Sequence, residues 1–167
     1  DEYAQAERRG IAAGSPSGRW HPHLAGREGF TGVGVQVRQD RLDPVGLSNT
    51  EARQRVATVQ ESRVRESSIG AWASNDTQWL PWLRSIAGAR HDRFDFDVAS
   101  SVVGNSGARG ASITSPKLSF VLGPWSRTEF FINAGYGFHS NDARGTVATL
   151  APRELTPVTA VAPLVRT

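Results

Sequence analysis

Between Pro124 and Arg144 the chain reads Pro-Trp-Ser-Arg-Thr-Glu-Phe-Phe-Ile-Asn-Ala-Gly-Tyr-Gly-Phe-His-Ser-Asn-Asp-Ala-Arg, and its polarity alternates with a period of two. Phe130, Ile132, Ala134, Tyr136 and Phe138 fall on one face. Glu129, Phe131, Asn133, Gly135, Gly137 and His139 fall on the other, where only Phe131 is strongly apolar. Successive strand side chains point to opposite faces, so the pattern predicts a strand with one apolar and one mostly polar surface. Aromatic residues close both ends of the apolar face. Eight strand residues at ~3.3 Å each cover roughly 26 Å, close to the ~25 Å lipid-facing band of an outer-membrane barrel. A half-buried strand of a soluble sandwich alternates in the same way, so this stretch alone leaves both architectures open.

The same period recurs upstream. Val33, Val35 and Val37 oppose Gly34, Gln36 and Arg38; Ile69, Ala71 and Ala73 oppose Gly70, Trp72 and Ser74. Leu118, Phe120 and Leu122 are expected to face out, with Lys117, Ser119 and Val121 facing in. In Leu83 to Val98, the in-phase set Ile86, Gly88, Arg90, Asp92, Phe94 and Phe96 is broken by two charges, which predicts a bulge there. Two short turns, Asn75 to Trp82 and Gly123 to Arg127, carry tryptophans, and Ala99 to Gly110 is a Gly- and Ser-rich loop. Tyr3 to Arg9 has the composition of a helical turn, and Glu51 to Arg63, with Ser48, Asn49 or Thr50 as cap, is the one credible longer helix. An extended strand is preferred over helix for 50–62. Gly32-Val-Gly34 is not a phosphate cradle, because no helix follows and a third glycine is missing.

The wording of three of these segments is more specific than their pattern. Phe130 to Gly145, Ser115-Pro-Lys-Leu-Ser-Phe-Val-Leu-Gly-Pro-Trp125 and Trp82-Leu-Arg-Ser-Ile-Ala-Gly-Ala-Arg-His-Asp-Arg-Phe-Asp-Phe-Asp97 closely resemble the barrel of TonB-dependent outer-membrane receptors. The likeness is dense over 79–144, thins back through Asp40-Arg-Leu-Asp-Pro-Val-Gly-Leu47 and is faint before Arg27. It implies an all-β fold: an antiparallel transmembrane β-barrel segment of about five or six strands, the plug domain lying outside these residues. The strand-bearing core would span about 28–144, with 145–167 a long outer loop. It also implies an outer-membrane location, the lipid bilayer and the TonB complex as partners, the latter through the missing plug region, and a small-molecule or metal-chelate ligand such as a ferric siderophore, cobalamin or glycan. A passive porin-type barrel and a soluble β-sandwich binding module are the alternatives.

Composition agrees in what it excludes. The chain has no methionine and opens on no charged-then-apolar leader, so these residues are expected to be an internal piece of a barrel. No apolar run approaches the ~20 residues of a membrane helix. Nineteen basic residues against sixteen acidic give a formal net charge of +3, spread along the chain rather than clustered as for nucleic-acid binding. No cysteine is present, and no nucleophile elbow, zincin, P-loop or zinc-finger spacing occurs, so an enzyme is not expected. His21 and His23 lack further ligands at metal-site spacing. The candidates for ligand contact are outer-rim His139, Asp95, Asp97 and Arg144. Asp95 and Asp97 are expected to line the lumen or rim, paired with arginine; Asn141, Asp142 and Arg144 are expected to hold the exit of the loop. An arginine-rich lumen would suit an anionic ligand. Trp79, Trp82, Trp125, Phe130, Tyr136 and Phe138 are candidates for interfacial aromatic belts, since indole and phenol rings favour the membrane–water boundary. A cut sheet exposing apolar surface is not expected to fold as a soluble monomer.

Overall fold

The structure, a computed structural model, describes residues 2–24 and 26–167. Its strands in chain order are β1 (Glu2–Gly14), β2 (Ser17–Trp20), β3 (His23–Leu24), β4 (Arg27–Glu51), β5 (Gln54–Leu80), β6 (Leu83–Ser100), β7 (Gly107–Trp125), β8 (Thr128–Gly135), β9 (Phe138–Ser140) and β10 (Leu164–Arg166), with a short helix α1 (Ala143–Val147) between the last two. The main sheet is antiparallel and curled into a half-barrel, in the order β1-β4-β5-β6-β7-β8, with β2 and β3 extending the path of β1 along β4. β1 and β8 are its edges. β9 and β10 form a separate pair.

Register makes the two faces continuous. Val37 stands opposite Ile69, Val35 opposite Ala71, Ala87 opposite both Asn75 and Leu118, and Phe120 opposite Ile132. Directly paired residues share a face, so these alternations merge into one outward apolar surface. Its side chains are open: Val37 is 45% exposed, Ile69 52% and Ile132 56%. Transfer of a Val, Ile or Phe side chain out of water stabilises by ~1.5–3 kcal/mol, so a band of this extent is a surface that an apolar environment covers.

The inner face is polar and paired, and it explains two sequence features. Trp72 lies opposite Gly34. A Cβ built on Gly34 would stand 2.6 Å from Trp72 Nε1, and one on Gly32 would stand 3.2 Å from the same ring. The Gly-Val-Gly step is therefore the seat of an indole. The expected bulge at Arg90 and Asp92 is absent, for β6 pairs with β7 in unbroken register from Leu83 to Val98. The two charges lie on the inner face, and the outward residues of that strand are Ala87, Ala89, His91 and Arg93.

The strand preferred over helix for 50–62 is what forms: Gln54 to Arg63 pairs with β4 along nearly its whole length, beyond a turn at Ala52 and Arg53. Three local expectations are corrected. Tyr3 to Arg9 is strand, not a helical turn, because β4 supplies it with a hydrogen-bonding partner along nearly its whole length. The apolar face drawn from Phe130 to Phe138 is not continuous: the sheet ends at Gly135, and Phe138 turns inward, edge-on to Phe94 at 5.9 Å. The segment after Asn141 is not a freely exposed loop. Ala143 and Val147 of α1 are buried against Val45, Val64, Phe96 and Val98, the apolar core of the inner face.

Candidate functional site

The inward fold of residues 138–147 covers part of the concave face, and a half-open cavity of ≈ 520 Å³ lies between them. Its walls are ionic. Asp40, 2% exposed, accepts from Arg9 Nη2 at 2.7 Å and Nε at 3.0 Å, and from Arg38 Nε at 2.6 Å and Nη2 at 3.0 Å. Asp92, also 2% exposed, accepts from Arg90 Nη2 at 2.6 Å, and the same nitrogen reaches Gln36 Oε1 at 2.9 Å. A buried carboxylate needs this multidentate pairing to offset its lost hydration. On strands, residues two apart share a face, so Arg38-Gln-Asp40 and Arg90-His-Asp92 close pairs within a single strand. That Arg-x-Asp spacing is the signal by which the sequence could have revealed this wall, and it was missed there.

The roof is held by its own contacts. Asp142 caps α1 by accepting from the Arg144 amide at 2.8 Å, and its carboxylate takes Arg144 Nη2 at 2.6 Å. The Arg144 guanidinium holds the Asp142 carboxyl below the ordinary aspartate value, more than burial raises it; Asp142 in turn holds Arg144 above the ordinary arginine value. Asn141 Nδ2 donates to the Ala162 carbonyl at 2.7 Å. Asn105, in a short turn after β6, ties the far end: its amide donates to the Leu150 carbonyl at 2.9 Å and accepts from the Thr149 and Leu150 amides at 3.0 and 2.9 Å.

The residues singled out from the sequence are not brought together. Arg144 lines the cavity; His139 pairs through its backbone with Val165 on the exposed β9–β10 ribbon. Asp95 and Asp97 are on the outward face, beyond the apolar band, Asp95 with Arg93 at 2.7 Å. Among the aromatics, Trp82 and Trp125 meet at 6.1 Å across neighbouring turns, and Trp125 meets Phe130 at 6.2 Å. Trp79 Nε1 donates to Ser85 Oγ at 2.7 Å. Tyr136 sits at the opposite end of the sheet beneath the Arg166 guanidinium, 4.9 Å from the ring centroid. Phe138 lines the cavity instead of an outward belt.

An arginine excess does not survive in the cavity, whose lining holds four arginines and five carboxylates. No group of three or more His, Asp or Glu placed to hold a metal ion occurs among the described residues. What the wall offers a ligand is a dense, nearly neutral array of fixed donors and acceptors.

An outward apolar face, an inner ionic wall and a chain segment folded inward describe a portion of a barrel wall. The family model for TonB dependent receptor-like, beta-barrel proteins matches residues 4–161, nearly the whole chain. The chain belongs to that family. No curated protein matches it. TonB-dependent receptors are transporters of the bacterial outer membrane, not enzymes, and the all-β half-barrel is their wall architecture.

Proposed function

We propose that this chain builds part of the wall, lumen and outer surface of a receptor that takes up a scarce nutrient across the outer membrane, with force supplied by the TonB complex through a plug domain. The nutrient is a ferric siderophore, cobalamin or a glycan. The observation that carries this is the division of one sheet into an outward apolar face and an inner face of buried Arg–Asp pairs: a lumen that must grip a polar occupant, beside a surface that must meet lipid. The edges β1 and β8 present unpaired backbone, which further strands toward the ~22 of such a transporter would satisfy. Residues 145–167 then belong to an outer loop that turns into the lumen. Phe130 and Ile132, 55% and 56% exposed, favour this over a sandwich that would bury them.

The test is uptake. Cells expressing the full-length protein are given labelled ferric chelate, cobalamin or oligosaccharide, with and without a functional TonB or a protonophore. Saturable uptake lost with either treatment is expected. Uptake that persists without energy would move the protein to the passive porin class.

A further inference from the structure

The cavity on the concave face holds two carboxylates without a partner. Each of its four arginines already faces an aspartate: Arg9 and Arg38 converge on Asp40 through Nε and Nη2, Arg90 holds Asp92, and Arg144 holds Asp142. Glu7 and Glu66 line the same space and form neither an ion pair nor a side-chain hydrogen bond among the described residues. The lining thus carries one more carboxylate than arginine, and its two unpaired charges are both negative.

Glu7 is exposed, whereas Glu66 is half-buried, and register fixes what surrounds it. Asp40 stands directly opposite Glu66 on β4, and Phe96, 1% exposed, stands directly opposite on β6. Like charges directly opposite each other on a sheet are destabilising, and an aromatic neighbour does not replace the water that a carboxylate loses. Arg38 lies on the diagonal, across from Ser68, but its fork is turned to Asp40. Glu66 is therefore an open acceptor in the wall, and its counter-charge can arrive through the cavity.

Beside it the lining is aromatic. Phe94, two residues from Phe96 on the same face of β6, stacks on it with ring centroids 6.1 Å apart. Phe138, carried in by the inward turn, meets Phe94 edge-on at 5.9 Å, and both rings line the cavity. The quadrupole of an aromatic ring attracts organic cations, and a carboxylate next to such rings supplies the opposite charge. An anion entering here meets engaged arginines and two unpaired carboxylates instead. We infer that Glu66, with Phe94 and Phe138, binds an ammonium group carried by the ligand. The inference rests on the uptake reading and names the class of nutrient, one that bears an organic cation.

The test uses the full-length protein in maltoside micelles and three probes of one shape: choline, its neutral carbon isostere dimethylbutanol, and the anion dimethylbutyrate. Saturation-transfer NMR titrations give an apparent Kd for each. Choline is expected to bind roughly tenfold more tightly than dimethylbutanol, and dimethylbutyrate more weakly than either. E66Q, which keeps the shape of the side chain, weakens choline roughly tenfold and removes its advantage over the alcohol; F94L weakens it about fivefold. E51Q, at the tip of the β4–β5 hairpin, leaves all three unchanged. Should E66Q fail to fold, the three wild-type affinities decide alone. Alcohol or anion bound as tightly as choline, or a choline affinity that E66Q leaves intact, overturns the site. That result beside energy-dependent uptake leaves the transport reading standing. Choline binding that depends on Glu66, in a protein whose uptake needs no energy, keeps the site and overturns the transport reading.

Discussion

Replacing Asn105 by alanine should release the roof of the cavity without unfolding the sheet. Asn105 is 2% exposed and makes three side-chain hydrogen bonds, all to the backbone of residues 149 and 150. Each contributes about 1 kcal/mol net, and the Thr149 and Leu150 amides are left without this partner when it goes, so the loss is about 3 kcal/mol. At 1.36 kcal/mol per decade this raises the opening equilibrium of the segment on the order of a hundredfold. Amide hydrogen exchange read by mass spectrometry separates the two outcomes. Peptides covering 141–163 should lose protection by about that factor, while peptides from the middle of β4 and β5 keep theirs, because local opening draws only on local contacts. Asn105→Asp keeps the two acceptor contacts and loses the donor, and should fall between. Unchanged protection over 141–163 in N105A, or a loss shared equally by β4 and β5, would refute the assignment of this residue as the clasp.

Three further outcomes follow from the structure. Gly34→Ala places a methyl within 2.6 Å of the Trp72 ring and should displace it, costing about 1–3 kcal/mol and shifting tryptophan emission, whereas Gly18→Ala, with no atom within 4 Å of its Cβ, should be silent in emission. Ser126 and Arg127 hold φ of 48° and 69° at the two-residue turn joining β7 to β8; S126N/R127G suits that left-handed turn and should stabilise by about 1–2 kcal/mol, read as a higher urea midpoint in lipid vesicles. Asp142 titrates below the ordinary aspartate value in the folded chain. Its pairing therefore stabilises the roof fully above the unfolded value near 3.9, and that contribution is lost as pH falls from there through the lower folded value. Exchange protection over 141–147 should hold from neutral pH down to mild acid and fall only below it, and Asp142→Asn, which keeps the helix cap, should flatten that acid limb.

The sheet was legible because its information is local. Val33 to Val37, Ile69 to Ala73 and Leu118 to Leu122 each state their outward face within a few residues, and register then aligns statements already made. The lumen was harder. Arg90 and Asp92 look like defects in an apolar face until their strand is seen to present that face inward, where charges two apart close on each other. The turn at Gly135 that sends Phe138 to Phe94 has no period to betray it. The roof was least legible. α1 is five residues long. Its burial depends on Val45 and Val64, and its clasp on Asn105, residues tens of positions away that no window along the chain connects. His139 and Asp95 were chosen for chemistry and strand position; what decides their surroundings is which way the backbone turns after Gly135 and which face Arg93 takes.

The β4–β5 hairpin runs far past the apolar band and closes in a turn of two residues, Ala52 and Arg53. From Gln39 to that tip is roughly 40 Å of paired backbone, with β1 laid along it as far as Thr50. Anything approaching from outside meets a stiff blade rather than a coil. A protease must draw several extended residues into its cleft, and here nearly every one is committed to a neighbouring strand, so this tall projection offers digestive enzymes almost no purchase and any antibody or phage protein a fixed relief to fit.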